Sequence, residues 1–221
     1  MAETILTSEQ RKVLEFFAQE KHIASLFYLS GGTALAEFYL RHRYSDDLDF
    51  FTNEKEFPQI HVEAFAAFIK QKLPAVSMQY RRLYDRRIFF FATNGGELKI
   101  EFSSYPFMQL EPPQEHKGVF IDSLNDITAN KVMALLDRVE PKDFVDLYFL
   151  MEEKQTSIDE LISLVRQKFG ITLDPITLGS EFAKVTTLTV LPRMIKALTL
   201  EQLRRFFSDR ARELGSRIFS D

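Results

Sequence analysis

Alternating, strand-type hydrophobic patterning is confined to residues 1–122, and from residue 123 onward the apolar positions recur at helical spacing. A chain sorted in this way reads as α+β: a small mixed sheet flanked by helices, followed by a helical second half. The expected division is therefore 1–122 and 123–221. In the first part, Leu26-Phe27-Tyr28-Leu29 ends at Ser30-Gly31-Gly32, a buried strand running into a tight turn. Residues 33–40 read as a short helix, Asp47-Leu48-Asp49-Phe50-Phe51 as a strand, and residues 57–73 as a helix. Residues 88–92 and 98–102 flank Asn94-Gly95-Gly96, a hairpin signal. Thr7 and Gln10 have capping-box spacing ahead of an apolar stripe. In the second part, helices are expected over 126–138, 141–152, 158–169 and 200–214, with Pro141 in a first turn and Gly170 closing its helix.

Composition removes several chemistries. Cysteine is absent, which excludes disulfides, thiolate zinc sites, iron–sulfur clusters and cysteine nucleophiles. At 221 residues the chain can still bury a core, with 22 Phe and no Trp supplying the aromatic packing. The net charge of -4 argues against a globally basic nucleic-acid binder but leaves room for a local basic groove. No apolar run approaches the roughly 20 residues of a membrane helix, and the first ten residues lack signal-peptide features. The chain accordingly reads as cytoplasmic, with no membrane partner.

The chemistry concentrates between Gly31 and Phe51. Strand geometry projects Asp47 and Asp49 to one face while Leu48 and Phe50 turn to the core. Two neighbouring carboxylates repel unless water or a cation relieves them, and hard oxygens suit Mg²⁺ or Mn²⁺. Such a pair can serve two-metal phosphoryl displacement. Ser30-Gly31-Gly32-Thr33, opening a helix, lets backbone N–H groups approach a phosphate. Glu101, alternating with apolar residues, supplies a third acid as metal ligand or general base. The plainer alternatives are a solvated edge strand and an exposed Lys99/Glu101 face. Lys131 and Arg138 share a helix face and form a basic patch with Lys142, while Asp143 and Asp146 could simply favour a helix start, with Lys142 and Asp146 an i,i+4 pair. Two arginine clusters, Arg81, Arg82, Arg86 and Arg87, then Arg204, Arg205, Arg210, Arg212 and Arg217, could meet RNA phosphates. His22, His42, His61 and His116 form no zinc or Ser–His pattern.

Four stretches together resemble the AbiEii/AbiGii toxin family of the DNA polymerase beta-like nucleotidyltransferase superfamily. They are Gly31–Ala36 leading to Arg43–Phe50, Lys99-Ile100-Glu101, Asp126–Lys131 continuing to Arg138, and Lys142–Leu147. The resemblance implies a nucleotidyltransferase fold whose helical second half contributes to the active-site cleft. It implies NMP transfer from an NTP to an acceptor such as tRNA, with pyrophosphate released, in a type IV toxin–antitoxin or abortive-infection system. By the same resemblance Asp47, Asp49 and Glu101 hold Mg²⁺ or Mn²⁺, and Ser30 to Thr33 cradle the triphosphate. Lys131 contacts phosphate, Asp143 completes the polar wall, and Arg43, Ser45, Lys99 and Lys142 join the nucleotide-binding set. An antitoxin protein is the implied partner. Two departures stand out: Glu101 where relatives often carry Asp, and Gly-Gly where many carry Gly-Ser. Transfer to a small molecule or protein, or a silent nucleotide- or antitoxin-binding module, are the alternatives.

Overall fold

The structure, a computed structural model, describes residues 4–73 and 75–217. The chain divides into two compact units, residues 1–39 with 45–123, and residues 40–44 with 124–221. The first is an α+β unit built on a seven-stranded mixed sheet. Its strands are β1 (Tyr28–Ser30), β2 (Asp47–Thr52), β3 (Ala75–Leu83), β4 (Arg86–Thr93), β5 (Gly96–Ser104), β6 (Gln114–His116) and β7 (Val119–Ile121). They lie in the order β3-β4-β5-β2-β1-β7-β6. β2 runs parallel to β5 and β1 parallel to β7, while the other neighbours are antiparallel. The hairpin closes at Thr93 opposite Gly96, as the Asn-Gly-Gly signal predicts.

Helices α1 (Ser8–Gln19), α2 (Lys21–Ala24) and α4 (Gln59–Lys72) belong to this unit. The Thr7–Gln10 capping box forms at the start of α1. Alternation along β2 sends Leu48, Phe50 and Thr52 inward. Phe50 stacks on Phe17 of α1 at 4.2 Å and on Phe102 of β5 at 5.1 Å, and Phe65 of α4 meets both Phe17 and Phe102 edge-on. Burying each such ring contributes about 1.5–3 kcal/mol, which pins the sheet's inner face and leaves its other face to carry polar groups. The expected helix over 33–40 begins as α3 (Gly31–Ala34) and widens into a π turn over Leu35–Leu40.

In the second unit, α5 (Leu124–Asp137), α6 (Pro141–Glu153), α7 (Ile158–Phe169), α8 (Pro175–Ala183) and α9 (Leu200–Arg217) form a helical body. Pro141 takes the first turn of α6, and Gly170 closes α7 at φ 68°. Phe207 of α9 meets Phe144 and Phe182 edge-on at 5.2 and 5.1 Å. The short segment 40–44 joins this unit through backbone bonds, Tyr44 N–H to the Arg193 carbonyl and Ile195 N–H to the His42 carbonyl. Strands β3, β6 and β7 and helix α8 are not apparent in the sequence pattern. Among the described residues no helix is long and apolar enough to cross a membrane.

Candidate active site

Register decides which polar groups meet. The parallel pairing of β2 with β5 sets Asp47 opposite Lys99 and Asp49 opposite Glu101, and the antiparallel pairing with β1 sets Ser30 opposite Asp49. Directly paired residues share a face, so Ser30, Asp49 and Glu101 form one row across three strands. Lys99 Nζ lies 3.3 Å from Asp47, 3.7 Å from Asp49 and 3.1 Å from Glu101. Burial opposes its charge, but Asp49, Glu101 and Asp47 outweigh that and raise its pKa above the ordinary lysine value. Glu101 is buried and accepts from Arg86 in bidentate fashion, Nη2 to Oε2 at 2.6 Å and Nε to Oε1, and from the Ser103 hydroxyl at 2.8 Å. Burial alone would raise its pKa; Arg86, Lys99 and Ser103 pull it down to about 2.

The glycine turn lies against this row. Gly31 has φ 71° and is so close to Asp49 that a β-carbon there would stand 2.5 Å from Oδ2. The buried Thr33 hydroxyl donates to the Asp47 carbonyl, fixing the turn to β2. Ser30 turns away from the row's acids: its hydroxyl donates to Asp122 Oδ2 at 2.7 Å. The Ser45 carbonyl accepts from the Gln10 side chain, so Ser45 tethers its segment to α1. The structure thus gathers Gly31, Thr33, Asp47, Asp49, Lys99 and Glu101 in the first unit.

The second unit holds its own ionic cluster. Asp146, fully buried, accepts Arg43 Nε and Nη2 at 2.6 and 2.8 Å, His42 Nε2 at 2.6 Å and Lys131 Nζ at 2.6 Å. Lys131 also reaches Asp143 at 2.9 Å, and Arg138 grips the other Asp143 oxygen at 2.8 Å. Burial disfavours both aspartate charges; Arg43 and Lys131 hold Asp146 well below the usual carboxylate range, and Lys131 and Arg138 lower Asp143. Arg43, expected on nucleotide, is directed at Asp146. Asp146 binds these groups rather than pairing with Lys142 four residues earlier, and Lys142 is half-buried. Three permanent cations therefore face two carboxylates, and Lys131 is held protonated between them.

The donor set near Gly31 fits a divalent cation in one specific way. Asp47 and Asp49 are hard-oxygen donors with side chains 31% and 21% exposed. Among the described residues no group of three or more His, Asp or Glu is arranged to hold a metal, and Glu101 is engaged by Arg86, Ser103 and Lys99. Mg²⁺ is commonly held by one or two carboxylates with substrate phosphate oxygens completing its shell, and Asp47 with Asp49 matches that requirement.

Several contributors escape sequence reasoning. Arg86 was visible only as part of a basic cluster, although counting back from the Thr93–Gly96 closure puts it opposite Ser103, diagonal to Glu101. Asp122, 92 positions from Ser30, and His42, 104 positions from Asp146, carry no local signal. The arginines of α9 are interleaved with acids: Arg212 pairs with Asp209 at 2.7 Å and Arg210 with Glu213 at 3.9 Å, while the Arg217 side chain lies outside the described residues.

Comparison with known proteins places these features. The family model described as nucleotidyl transferase AbiEii toxin, type IV TA system, matches residues 15–217. The uncharacterized protein aq_aa25 of Aquifex aeolicus is 37% identical over 167 residues, covering 74% of this chain and 76% of that protein. A crystal structure described as a nucleotidyltransferase from H. pylori superposes with TM-score 0.58 at 22% identity, covering 96% of this chain and 97% of that one. JHP933 from Helicobacter pylori gives TM-score 0.56 at 23% identity over 96% and 94%. These two share the fold.

Proposed function

Because the chain belongs to the AbiEii family of nucleotidyltransferase toxins and is a nucleotidyltransferase by that membership, we propose that its first unit carries out metal-dependent transfer of NMP from an NTP to an RNA acceptor hydroxyl. The observation that carries this is the pair Asp47 and Asp49 set side by side against Gly31, with Lys99 between them and Glu101.

Asp47 and Asp49 would hold the divalent cation, which supplies Lewis-acid neutralisation of phosphate charge when bound. The backbone of Gly31 to Thr33 lines the triphosphate, and the absence of a β-carbon at Gly31 keeps the approach to Asp49 open. Lys99 and Arg86 present positive charge beside the transferring phosphoryl group. Glu101 fixes both of them, so their geometry is set before substrate arrives. The acceptor hydroxyl attacks the α-phosphorus in line and pyrophosphate leaves. In the second unit, Lys131 is assigned to phosphate and Asp143 to holding it, with Lys142 as an outer cation; Asp146 and Arg43 fix the Lys131 head group. A growth-arrest role, restrained by an antitoxin, follows from the family.

Incubation with each α-labelled NTP, Mg²⁺ and total cellular RNA, followed by recovery of labelled species and free pyrophosphate, tests the proposal. Labelled RNA is expected. Metal-dependent NTP binding without pyrophosphate release, across RNA, protein and small-molecule acceptors, would overturn it in favour of a silent binding module.

A further inference from the structure

The row containing the acids does not stop at β5. Glu101 pairs with Ile88 of β4, and Ile88 with Arg81 of β3, so Ser30, Asp49, Glu101, Ile88 and Arg81 lie in line across five strands on one face. At about 4.8 Å per strand, Arg81 stands roughly 14 Å from Asp49. The neighbouring row is Asp47, Lys99, Phe90 and Gln79. Phe90 is half-buried, and the Arg81 guanidinium lies 5.4 Å over its ring. This is a flat aromatic and cationic platform on the same face as the proposed phosphoryl-transfer groups.

The hairpin bearing the platform has two further features that a structural role alone does not require. It concentrates Arg81, Arg82, Arg86 and Arg87 with Asp85 as the one acid among residues 81–87. Arg82 and Arg87 are opposed in register and share the other face with Phe102, where Arg87 lies 5.4 Å over the Phe57 ring; Arg81 and Arg86 lie on the face of the acids. Tyr84, at the tip, is 86% exposed and adopts φ 51°, a left-handed conformation that costs a tyrosine free energy. Aromatic rings and arginine planes that accept unstacked bases, with arginines beside them for phosphates, are the elements of single-strand recognition. Unlike the arginines of α9, Arg81 and Arg86 lie on the sheet face that carries the acids.

We infer that the β3–β4 hairpin, through Arg81 and Phe90, is the docking surface for the single-stranded end of an RNA acceptor. This rests on the nucleotidyl-transfer proposal and adds the location and strandedness of the acceptor.

The test measures RNA binding apart from catalysis. Fluorescence anisotropy of the full chain is read with a short fluorescein-labelled single-stranded RNA of mixed sequence, and with that strand annealed to its complement, without NTP or metal ion. The single strand is expected to bind more tightly than the duplex. Arg81→Ala should weaken single-strand binding about threefold and reduce the slope of log affinity against log salt by about 0.7, whereas Arg82→Ala, on the opposite face, should change both less. Phe90→Leu should weaken single-strand binding and leave the salt slope unchanged. Melting temperatures and calorimetric NTP binding confirm that the variants are folded and keep their nucleotide site. Unchanged affinity and slope in Arg81→Ala, or duplex bound as tightly as single strand, overturns the inference and leaves the arginines as guards of an exposed sheet edge. A protein that binds RNA through the hairpin yet transfers no nucleotide would sink only the catalytic proposal; an active enzyme indifferent to the hairpin would sink only this one.

Discussion

Gly31 lies so close to Asp49 that its missing side chain is part of the site: a β-carbon would stand 2.5 Å from Oδ2 and 3.3 Å from the carboxyl carbon. Residue 31 also holds φ 71°, which costs an L-residue about 1–2 kcal/mol. Gly31→Ala should therefore lose roughly that much stability and push the Asp49 carboxylate aside. A displacement near 1 Å at reacting groups can cost about 100-fold in rate. The expected outcome is a folded protein whose pyrophosphate release falls by about that factor at saturating NTP. Wild-type turnover in folded Gly31→Ala protein would remove the glycine turn from the site.

Asp49→Asn separates charge from shape. Its side chain is partly exposed, with Lys99 3.7 Å away and the carboxylates of Asp47 and Glu101 also beside that lysine, so stability should stay within about 0.5 kcal/mol of wild type. Activity should fall about 10²–10³-fold, because a cation-binding carboxylate is lost where phosphate charge must be balanced. A chelator should abolish wild-type transfer and added Mg²⁺ or Mn²⁺ should restore it. Activity that persists in the chelator would reject the metal assignment.

Much of this arrangement was legible because local patterns constrained it. The alternation of Asp47 to Phe51 fixes which residues face outward, and the Asn94-Gly95-Gly96 turn fixes the β4–β5 register. The charge-rich strand β3 and the exposed strand β6 show no buried alternation, so their edge positions were invisible. Helix α8 is a short segment after an Asp174 cap and Pro175, with Gly179 in its middle. The partners of Glu101 and Asp146 were hidden for another reason. A carboxylate in a sequence reads as metal ligand, base or cap until the fold supplies the arginine that occupies it, and Arg43 meets Asp146 across 103 positions.

Asp146→Ala should be the most damaging of the charge deletions in the second unit. It would leave Arg43 and Lys131 buried without the carboxylate they share. Breaking a buried ion pair from one side costs about 3–5 kcal/mol. Lys142→Ala, at a half-buried position, should change stability by no more than about 0.5 kcal/mol. Urea unfolding of both variants checks the contrast, and similar midpoints would show that the cluster contributes little.

Stability should begin to fall as pH drops below the ordinary histidine value, and His42 is the reason. Its Nε2 lies 2.6 Å from Asp146, while its buried Nδ1 has no hydrogen-bond partner among the described residues. In the neutral ring Nε2–H donates to Asp146; protonation would place a second N–H at Nδ1, where nothing accepts it. Burial therefore lowers the His42 pKa from 6.5, with Arg43 and Lys131 acting in the same direction and Asp146 opposing them; the Phe149 ring packs beside it. The unfolded chain takes up a proton near pH 6.5 that the folded chain refuses, so stability is complete above 6.5 and decreases below it, by at most about 1.4 kcal/mol per pH unit. Asp146 and Asp143 have depressed pKa values, and by the same linkage their contribution is present above 3.8 and lost as pH falls further. His42→Gln should flatten the profile between pH 6.5 and 5 and leave the loss below pH 4 in place. Urea midpoints across that range measure it, and a His42→Gln profile as steep as wild type between pH 6.5 and 5 would assign the titration to another group.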